Sequence, residues 1–306
     1  MYYGVGNYEI NILSIVFYAI YVPGSPLGAW SVERLGLRRT LMIGCFLNFA
    51  GAGLAWMDAL VQEPWKRYAF CMAGQVAASI GQPFIFNPIS KVANGWFAPL
   101  ERTTANSIMS LGQPIGAAII LQLAPLFVSD DYSKMPDLNL FLFVLAAVFG
   151  ICVIWVEDSP KTPPAHSAEV KTLSFWEGSK RLVRNVPFLI LFSLFSLYYG
   201  TFNVFSTLLS DYVHPWGYSE KQAGLLGMLS IVSGIVATLV IGPLVDKTQS
   251  HERVLKILVV LNAIASLLFY FGCQPDMYWL LLLASILSGI SGSPLIPLVS
   301  TFTTMT

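Results

Sequence analysis

Charged residues are scarce in this sequence. Of its 306 residues, 17 are Lys or Arg and 17 are Asp or Glu, together 11% of the chain, whereas a soluble domain carries roughly 25%. So few charges cannot cover the surface of a globular protein in water, and 55% of the residues are hydrophobic. The shortage therefore excludes an ordinary soluble domain and indicates lipid as the solvent. The net charge of zero gives no electrostatic reason to expect nucleic acid as a partner.

Motifs that carry catalytic or metal chemistry are also missing. The four cysteines lie far apart inside apolar runs, without Cys-x-x-Cys or Cys/His spacing, which predicts small buried side chains rather than a metal site or disulfides. The sequence has no Gly-x-x-x-x-Gly-Lys-(Ser/Thr) phosphate loop, no His/Cys/carboxylate cluster and no Ser/His arrangement typical of catalysis. His166, His214 and His251 fall in loops, where we expect them to be solvated. We therefore expect no metal, no cofactor and no enzymatic activity.

Long apolar runs fill most of the chain. A membrane-spanning helix needs about 20 mostly apolar residues. Nine segments meet this requirement, at 10–32, 40–60, 68–90, 103–128, 138–156, 186–210, 222–244, 254–273 and 277–300. The sequence thus predicts an all-α integral membrane protein, a multi-pass helical bundle in a lipid bilayer.

One connector is much longer than the others. Residues 157–185 are polar and charged and contain several prolines. They predict a division of the chain into an N-terminal bundle of five helices (1–156), a central linker (157–185) and a C-terminal bundle of four helices (186–306). Part of the linker, "LSFWEGSKRLV", is typical of a short amphipathic helix at the membrane interface.

The distribution of basic residues predicts the orientation. With the N-terminus outside, 13 of the 17 Lys and Arg residues fall in loops on the inner side and four on the outer side. This is the asymmetry of the positive-inside rule. We therefore expect the central linker to be cytoplasmic. Nothing in the loops selects the plasma membrane over an organelle membrane.

Acid–base pairs recur at the inner ends of two helices. "AWSVER" (29–34) and "GPLVDK" (242–247) share a small-x-x-Val-acid-base pattern six helices apart, which is typical of two homologous six-helix halves. A carboxylate is favourable near the N-terminus of a neighbouring helix, where it would pin one half to the other. The candidate gating residues are Glu33, Arg34, Arg38, Asp246 and Lys247. The alternative is ordinary topogenic charge without a gating role.

Polar residues form stripes on three otherwise apolar helices. Each stripe has the spacing i, i+4, i+7, which places its members on one helical face. The alternative to a shared polar cavity is hydrogen bonding between helices without solute contact, but three stripes together favour the cavity, because amides facing lipid are costly. The candidate cavity residues are Gln75, Ser79 and Gln82, then Asn106 and Gln113 (with Ser110 between them), and then Tyr199, Asn203 and Ser206.

Titratable side chains avoid the middle of every predicted helix. Proton-driven carriers usually keep such a group in the membrane, so the pattern favours facilitative transport of a solute down its gradient over proton symport. The sequence also lacks a motif for driving transport with ATP.

The segment "GQPFIFNPISKVANGWFAPLERTTAN" (81–106) resembles the Gln-x-Phe…Pro-x-(Lys/Arg)…Trp-Phe…Glu-Arg-x-Thr-Ala pattern of solute carrier family 49, within the major facilitator superfamily. That family contains the feline leukaemia virus subgroup C receptor-related transporters. The helix containing "YVPGSPLGAW" and the later "GYSEKQAGLLG…GPLVDKT" are similar to the same family. The resemblance implies a major facilitator-type bundle that begins at the family's second helix and stops after its tenth.

The resemblance also implies a function. Members are associated with choline and ethanolamine, with haem and with a B6 vitamer, so we expect a uniporter-like carrier of a small organic solute that works by alternating access. Gln82 stands where choline-transporting members have a pocket glutamine, and Asn203 stands where they have an aromatic cage residue. A rival hypothesis is a non-transporting membrane protein that acts as a receptor or assembly partner.

Overall fold

The computed structural model describes residues 2–128, 134–160 and 175–299, and nearly all of these are helical. The α-helices of these ranges, numbered along the chain, are α1 (Asn7–Leu35), α2 (Leu37–Trp56), α3 (Pro64–Phe86), α4 (Pro88–Trp96), α5 (Arg102–Ser110), α6 (Gly112–Val128), α7 (Met135–Cys152), α8 (Phe175–Leu182), α9 (Val186–Val213), α10 (Glu220–Thr248), α11 (His251–Gly272) and α12 (Tyr278–Gly292). Short 3-10 turns lie at Met57–Leu60, Pro99–Glu101, Val153–Trp155 and His214–Trp216.

The predicted membrane spans are largely confirmed. Within the described ranges, seven segments are long and apolar enough to cross a bilayer: Tyr8–Leu35, Leu37–Leu60, Pro64–Trp96, Met135–Trp155, Gln222–Thr248, His251–Gly272 and Tyr278–Val299. Predicted span 186–210 lies on the 28-residue helix α9. The all-α membrane fold is therefore confirmed, and the predicted interfacial segment contains helix α8.

The predicted span 103–128 is wrong as a single helix. The structure divides it into α5 and α6, with a turn at Leu111 whose N–H bonds the carbonyls of Ser107 and Ile108, both at 3.2 Å. The reason is the sequence that follows. Pro114 has no N–H for the carbonyl of Ser110, and its ring presses on that carbonyl, while Gly112 lowers the cost of leaving helical geometry.

Contacts divide the chain into two compact units. Unit 1 comprises Met1–Trp96 and Ile120–Phe175, and unit 2 comprises Phe97–Ile119 and Trp176–Thr306. Helix α5 therefore belongs to unit 2 although it precedes the linker. The predicted division into 1–156, 157–185 and 186–306 follows the chain rather than these contacts, and it stays a prediction.

Unit 1 is held together by close approach of α2 and α3. Gly51 faces Gly74, and Gly44 faces Gly81. A Cβ on Gly51 would lie 2.6 Å from the Gly74 carbonyl oxygen, and a Cβ on Gly81 would lie 2.9 Å from that of Gly44. Seven-residue spacing on both helices repeats the contact after two turns. Small residues at such interfaces let helix backbones touch, which is how membrane helices associate by packing.

Unit 2 is built around α10, α11 and α12. A Cβ on Gly289 of α12 would collide with the Ser230 carbonyl oxygen of α10, so these helices also meet backbone to backbone. Unit 2 also has two clusters of buried apolar side chains. One consists of Leu209, Val213, Tyr218, Ala223, Leu226 and Leu281, and the other of Val245, Leu258, Leu295 and Leu298.

Large apolar side chains remain exposed on the outside of the helices. Examples are Val22, Leu197 and Leu267, which are 72%, 71% and 60% exposed. Lipid tails solvate such surfaces without cost, whereas water does not.

The four cysteines differ in their exposure. All four are free. Cys45, Cys71 and Cys273 are half-buried, and the prediction that the cysteines are buried is wrong for Cys152, which is exposed on α7.

Candidate functional site

Asp246 receives the N-terminus of helix α5. It is 5% exposed in the last turn of α10. Its Oδ1 accepts the Thr103 N–H at 3.1 Å, while its Oδ2 accepts the Thr104 N–H at 2.7 Å and the Thr104 hydroxyl at 2.6 Å. The first N–H groups of a helix have no partner within the helix and carry partial positive charge. Since α5 has no side-chain cap of its own, Asp246 supplies one from another helix.

His251 joins the same contact. It is the first residue of α11 and is 6% exposed, with its Nε2 at 3.3 Å from the Thr103 hydroxyl. The expectation that His251 is solvated is therefore wrong, because the chain after Asp246 turns back at once and brings the start of α11 against α5. The ends of α5, α10 and α11 thus meet at one polar point. Lys247 is exposed and takes no part in these hydrogen bonds.

The first acid–base loop is arranged differently. Glu33, Arg34 and Arg38 are all exposed at the junction of α1 and α2. The carboxylate at the start of α2 is Asp158, whose Oδ1 accepts the Arg38 N–H at 2.9 Å. A Cβ on Gly36, which has φ +87°, would lie 2.7 Å from this Oδ1. Sequence reasoning missed Asp158 because it lies 120 residues away, in the linker.

The first polar stripe lies on α3 in unit 1. Gln75 is half-buried and its Nε2 donates to the Leu13 carbonyl of α1 at 3.3 Å. Ser79 is buried and donates to the Gln75 carbonyl at 2.5 Å, one turn back. Gln82 is half-buried, and its side chain has no hydrogen bond to any described residue. An amide side chain can both donate and accept hydrogen bonds.

The second stripe is interrupted by the break at Leu111. Asn106 is 1% exposed on α5, and α5 packs on α10. Gln113 is exposed near the start of α6. The i, i+7 spacing, which holds only for an unbroken helix, therefore does not by itself place the two side chains on one face.

The third stripe lies on α9 in unit 2. Tyr199 is half-buried and stacks on Phe195 with ring centroids 5.8 Å apart. Asn203 donates to the Tyr199 carbonyl at 2.8 Å, one turn earlier. The side chain of Ser206 lies outside the described residues. The first stripe belongs to unit 1 and the other two to unit 2, so a cavity shared by all three stays a prediction.

Two adjoining cavities lie in unit 2. The smaller is lined by α9, α11 and α12, and the larger by α9, the 3-10 turn His214–Trp216 and the C-terminal part of α11. Their volumes are about 190 and 480 Å³. Both are lined by Thr201, Ser266 and Phe269; the smaller also touches Tyr198 and Asn262. Sequence reasoning selected none of these residues, since its criterion was three polar positions in one stripe.

The amide–proline segment that carries the family resemblance has a structural role. Helix α3 ends at Phe86, and α4 begins at Pro88. Asn87 donates to the Ser25 carbonyl at 2.7 Å, and Lys91 donates to the Val32 carbonyl at 2.7 Å. Both acceptors lie on α1. Val32 is in the last turn of this helix, where a cation interacts favourably with the helix dipole. The two donors, four residues apart, fasten the α3–α4 break to α1.

Known proteins resemble this chain closely enough to define its family. It is 28% identical over 311 residues to the zebrafish (Danio rerio) choline/ethanolamine transporter flvcr2a, with 97% of this chain and 65% of that protein covered. It is 31% identical over 294 residues to zebrafish solute carrier family 49 member A3, with 94% and 62% covered. The chain spans between 50% and 65% of the length of such curated relatives.

Solved structures share the fold. The human organic anion transporter MFSD10 superposes with a TM-score of 0.70 at 17% identity, covering 98% of this chain and 72% of the other. The proton:xylose symporter XylE superposes with a TM-score of 0.72 at 15% identity, covering 98% and 74%. The sequence profile of the Major Facilitator Superfamily matches residues 2–306. The chain belongs to the Major Facilitator Superfamily.

Proposed function

We propose that this protein is a facilitative carrier of a small organic amine of the choline or ethanolamine type, working by alternating access. The observation that carries the proposal is Gln82, a half-buried amide on an apolar helix that no described residue satisfies. A polar group in the membrane is expensive unless it has a partner. A solute hydroxyl provides both a donor and an acceptor for that amide.

The names of the relatives support the choice of solute class. The zebrafish relative described above is a choline/ethanolamine transporter, and the rat and human relatives named FLVCR2 are described in the same words. Haem and vitamins, which the sequence resemblance also suggests, are larger or carry more polar groups. Haem and a vitamin therefore serve as the alternative solutes in the uptake assay described below.

The charge distribution supports facilitated rather than proton-driven transport. In the described membrane-spanning helices, Asp, Glu, Lys, Arg and His stay within about two turns of a helix end, where they need not titrate during transport. The basic loops support an orientation with the N-terminus outside and the linker in the cytoplasm.

Asp246 is the proposed inner gate residue. A carboxylate that holds the N-terminus of α5 can be exchanged for water when the helices separate, so its contacts form in one state and break in the other. Glu33, Arg34, Arg38 and Lys247 are exposed and remain candidates for the same gate.

Uptake into liposomes tests the proposal. The purified protein is reconstituted and offered radiolabelled choline, ethanolamine, haem and pyridoxine in turn. We expect saturable uptake of one of the two amines and about a tenfold loss in Gln82→Ala, since an unreplaced hydrogen bond to a buried polar group costs this much. Gln62→Ala removes an exposed amide from a loop and is the matched control.

The outcomes separate the parts of the proposal. If the wild type takes up solute and Gln82→Ala takes it up equally well, the assignment of Gln82 to the solute site is refuted, while the carrier function is retained. Saturable uptake of haem or pyridoxine alone would refute the solute class. Binding without uptake for every solute would favour the non-transporting receptor.

A further inference from the structure

Asp58 is a fully buried carboxylate at the end of α2. It lies in the 3-10 turn Met57–Leu60 and has 0% exposure. A buried carboxylate needs donors, because its charge has lost its water. Three side chains supply them. The Tyr3 hydroxyl and the Asn139 amide donate to Oδ2, each at 3.1 Å, and the Tyr2 hydroxyl donates more weakly to Oδ1 at 3.4 Å.

Two of these donors come from the non-helical segment that precedes α1. The backbone of this segment turns at Gly4, where φ is +61°, a conformation that favours glycine. A Cβ on Gly4 would lie only 2.8 Å from the Pro64 side chain. The segment therefore lies directly against the start of α3, and Asp58 binds it from the end of α2.

Arg67 holds the same segment from α3. Its guanidinium carbon lies 4.7 Å from the centre of the Tyr2 ring, and its Nε donates to the Val61 carbonyl at 2.7 Å, which fixes the orientation of the side chain. Tyr2 thus lies between a cation on its ring face and a carboxylate at its hydroxyl, a favourable arrangement for both.

Both hydroxyls keep their protons at neutral pH. Burial, and after it the negative charge of Asp58, raises the pKa of Tyr2 to about 12. Burial also raises the pKa of Tyr3. Each phenol is therefore a donor to Asp58 rather than a competing anion. Cys71 is half-buried and lies four residues after Arg67, on the face of α3 that carries the contact with Tyr2.

We propose that residues 2–4 form a strap over the junction of α2 and α3, that Asp58 holds the strap in place, and that the held strap covers the Cys71 thiol. Asp58 links three parts of unit 1 that are distant in sequence: the strap, the end of α2 and, through Asn139, the start of α7. Release of the strap opens this end of unit 1 to water. The contacts of Asp58 with the strap and with Asn139 involve no solute. The strap proposal can therefore be tested independently of the proposed function.

The reactivity of Cys71 measures the strap directly. The full chain carrying Cys45→Ala, Cys152→Ala and Cys273→Ala keeps Cys71 as its single thiol. In detergent solution, a charged water-soluble maleimide reports how often this thiol meets water. We expect Asp58→Asn to react about tenfold faster than the parent, because a lost hydrogen bond to a charged group shifts the open population by at least this factor.

Three further variants keep the test sharp. Gly4→Ala strains the strap without touching Asp58 and should also react faster. The exchange Asp58→Asn with Asn139→Asp returns a carboxylate to the same contact and should restore slow labelling. Asp211→Asn removes an exposed carboxylate of unit 2 and should change nothing.

The proposal fails if Asp58→Asn and Gly4→Ala, both retaining the helical circular dichroism of the parent, label at the parent's rate. It also fails if the exchange variant labels as fast as Asp58→Asn, since the effect would then come from general loosening rather than from the carboxylate.

Discussion

Replacing Asp246 by Ala is the substitution with the most clearly defined consequence. The carboxylate accepts three hydrogen bonds, from the N–H groups of Thr103 and Thr104 and from the Thr104 hydroxyl, at 2.6–3.1 Å. Thr103 is fully buried and Thr104 is half-buried. A methyl group therefore leaves the Thr103 N–H without an acceptor and without easy access to water.

The cost follows from these contacts. Loss of a helix cap costs about 0.5–2 kcal/mol, and a buried donor left unsatisfied costs about 1–3 kcal/mol. The half-buried Thr104 recovers part of its loss from water, so we expect Asp246→Ala to lower the free energy of unfolding by about 2–4 kcal/mol. Asp246→Asn keeps one acceptor oxygen and should lose about half as much.

Thermal unfolding in detergent, followed by thiol-reactive fluorescence, measures the effect. The unfolding midpoint should fall by several degrees in Asp246→Ala, by less in Asp246→Asn, and should not move in Lys247→Ala, because exposed surface substitutions stay within about 0.5 kcal/mol. Equal midpoints for Asp246→Ala and Lys247→Ala would refute the assignment of Asp246 as the cap of α5.

Three further predictions concern unit 1. Gly36→Ala should destabilise by about 1–3 kcal/mol, because φ +87° is unfavourable for Ala and the new Cβ would press on Asp158; an unchanged unfolding midpoint would contradict this. Lys91→Met should cost about 0.5–1 kcal/mol in the same assay, since exposed Lys91 donates to the Val32 carbonyl, and a stabilised variant would contradict the contact. The ultraviolet difference spectrum between wild type and Tyr2→Phe should show phenolate with a midpoint near the raised pKa of about 12. Because this pKa lies above the unfolded value, the stability that neutral Tyr2 contributes is complete below about pH 10 and is lost as the pH rises further; a midpoint near pH 10 would contradict its burial.

A matched glycine separates backbone strain from substitution in general. Gly116 lies on helix α6 with no atom within 4 Å of a Cβ added there. Gly116→Ala should therefore leave stability unchanged or raise it by about 0.5–1 kcal/mol, as expected for Ala in a helix. Gly36→Ala should lower the stability, whereas Gly116→Ala should leave it unchanged or raise it. The comparison therefore separates the strain at Gly36 from the general effect of replacing Gly by Ala.

The sequence could predict what depends on local composition. Runs of apolar residues specify membrane helices because the bilayer sets their length, and the repeated acid–base pattern selects Asp246 at the end of α10 without indicating its partner. The break at Leu111 was also readable in principle from Gly112 and Pro114, but hydrophobicity alone does not show whether a helix bends or ends there.

Other features depend on pairs of residues far apart in the chain. Asp158 reaches the start of α2 across 120 positions, and Asp58 meets Tyr3 across 55 and Asn139 across 81. No local pattern marks such partners, since the tertiary fold alone brings them together. The polar stripes share this limit, because spacing places Gln82 on a helical face but does not say what that face meets.

Solute exchange without an imposed proton gradient tests the central claim most directly. Liposomes containing the protein and loaded with unlabelled choline or ethanolamine are diluted into labelled amine at equal pH on both sides. The account predicts a transient accumulation of label by the wild type, its strong reduction in Gln82→Ala and its retention in Gln62→Ala. The absence of exchange in the wild type, or exchange that appears only with a proton gradient, would contradict a facilitative carrier.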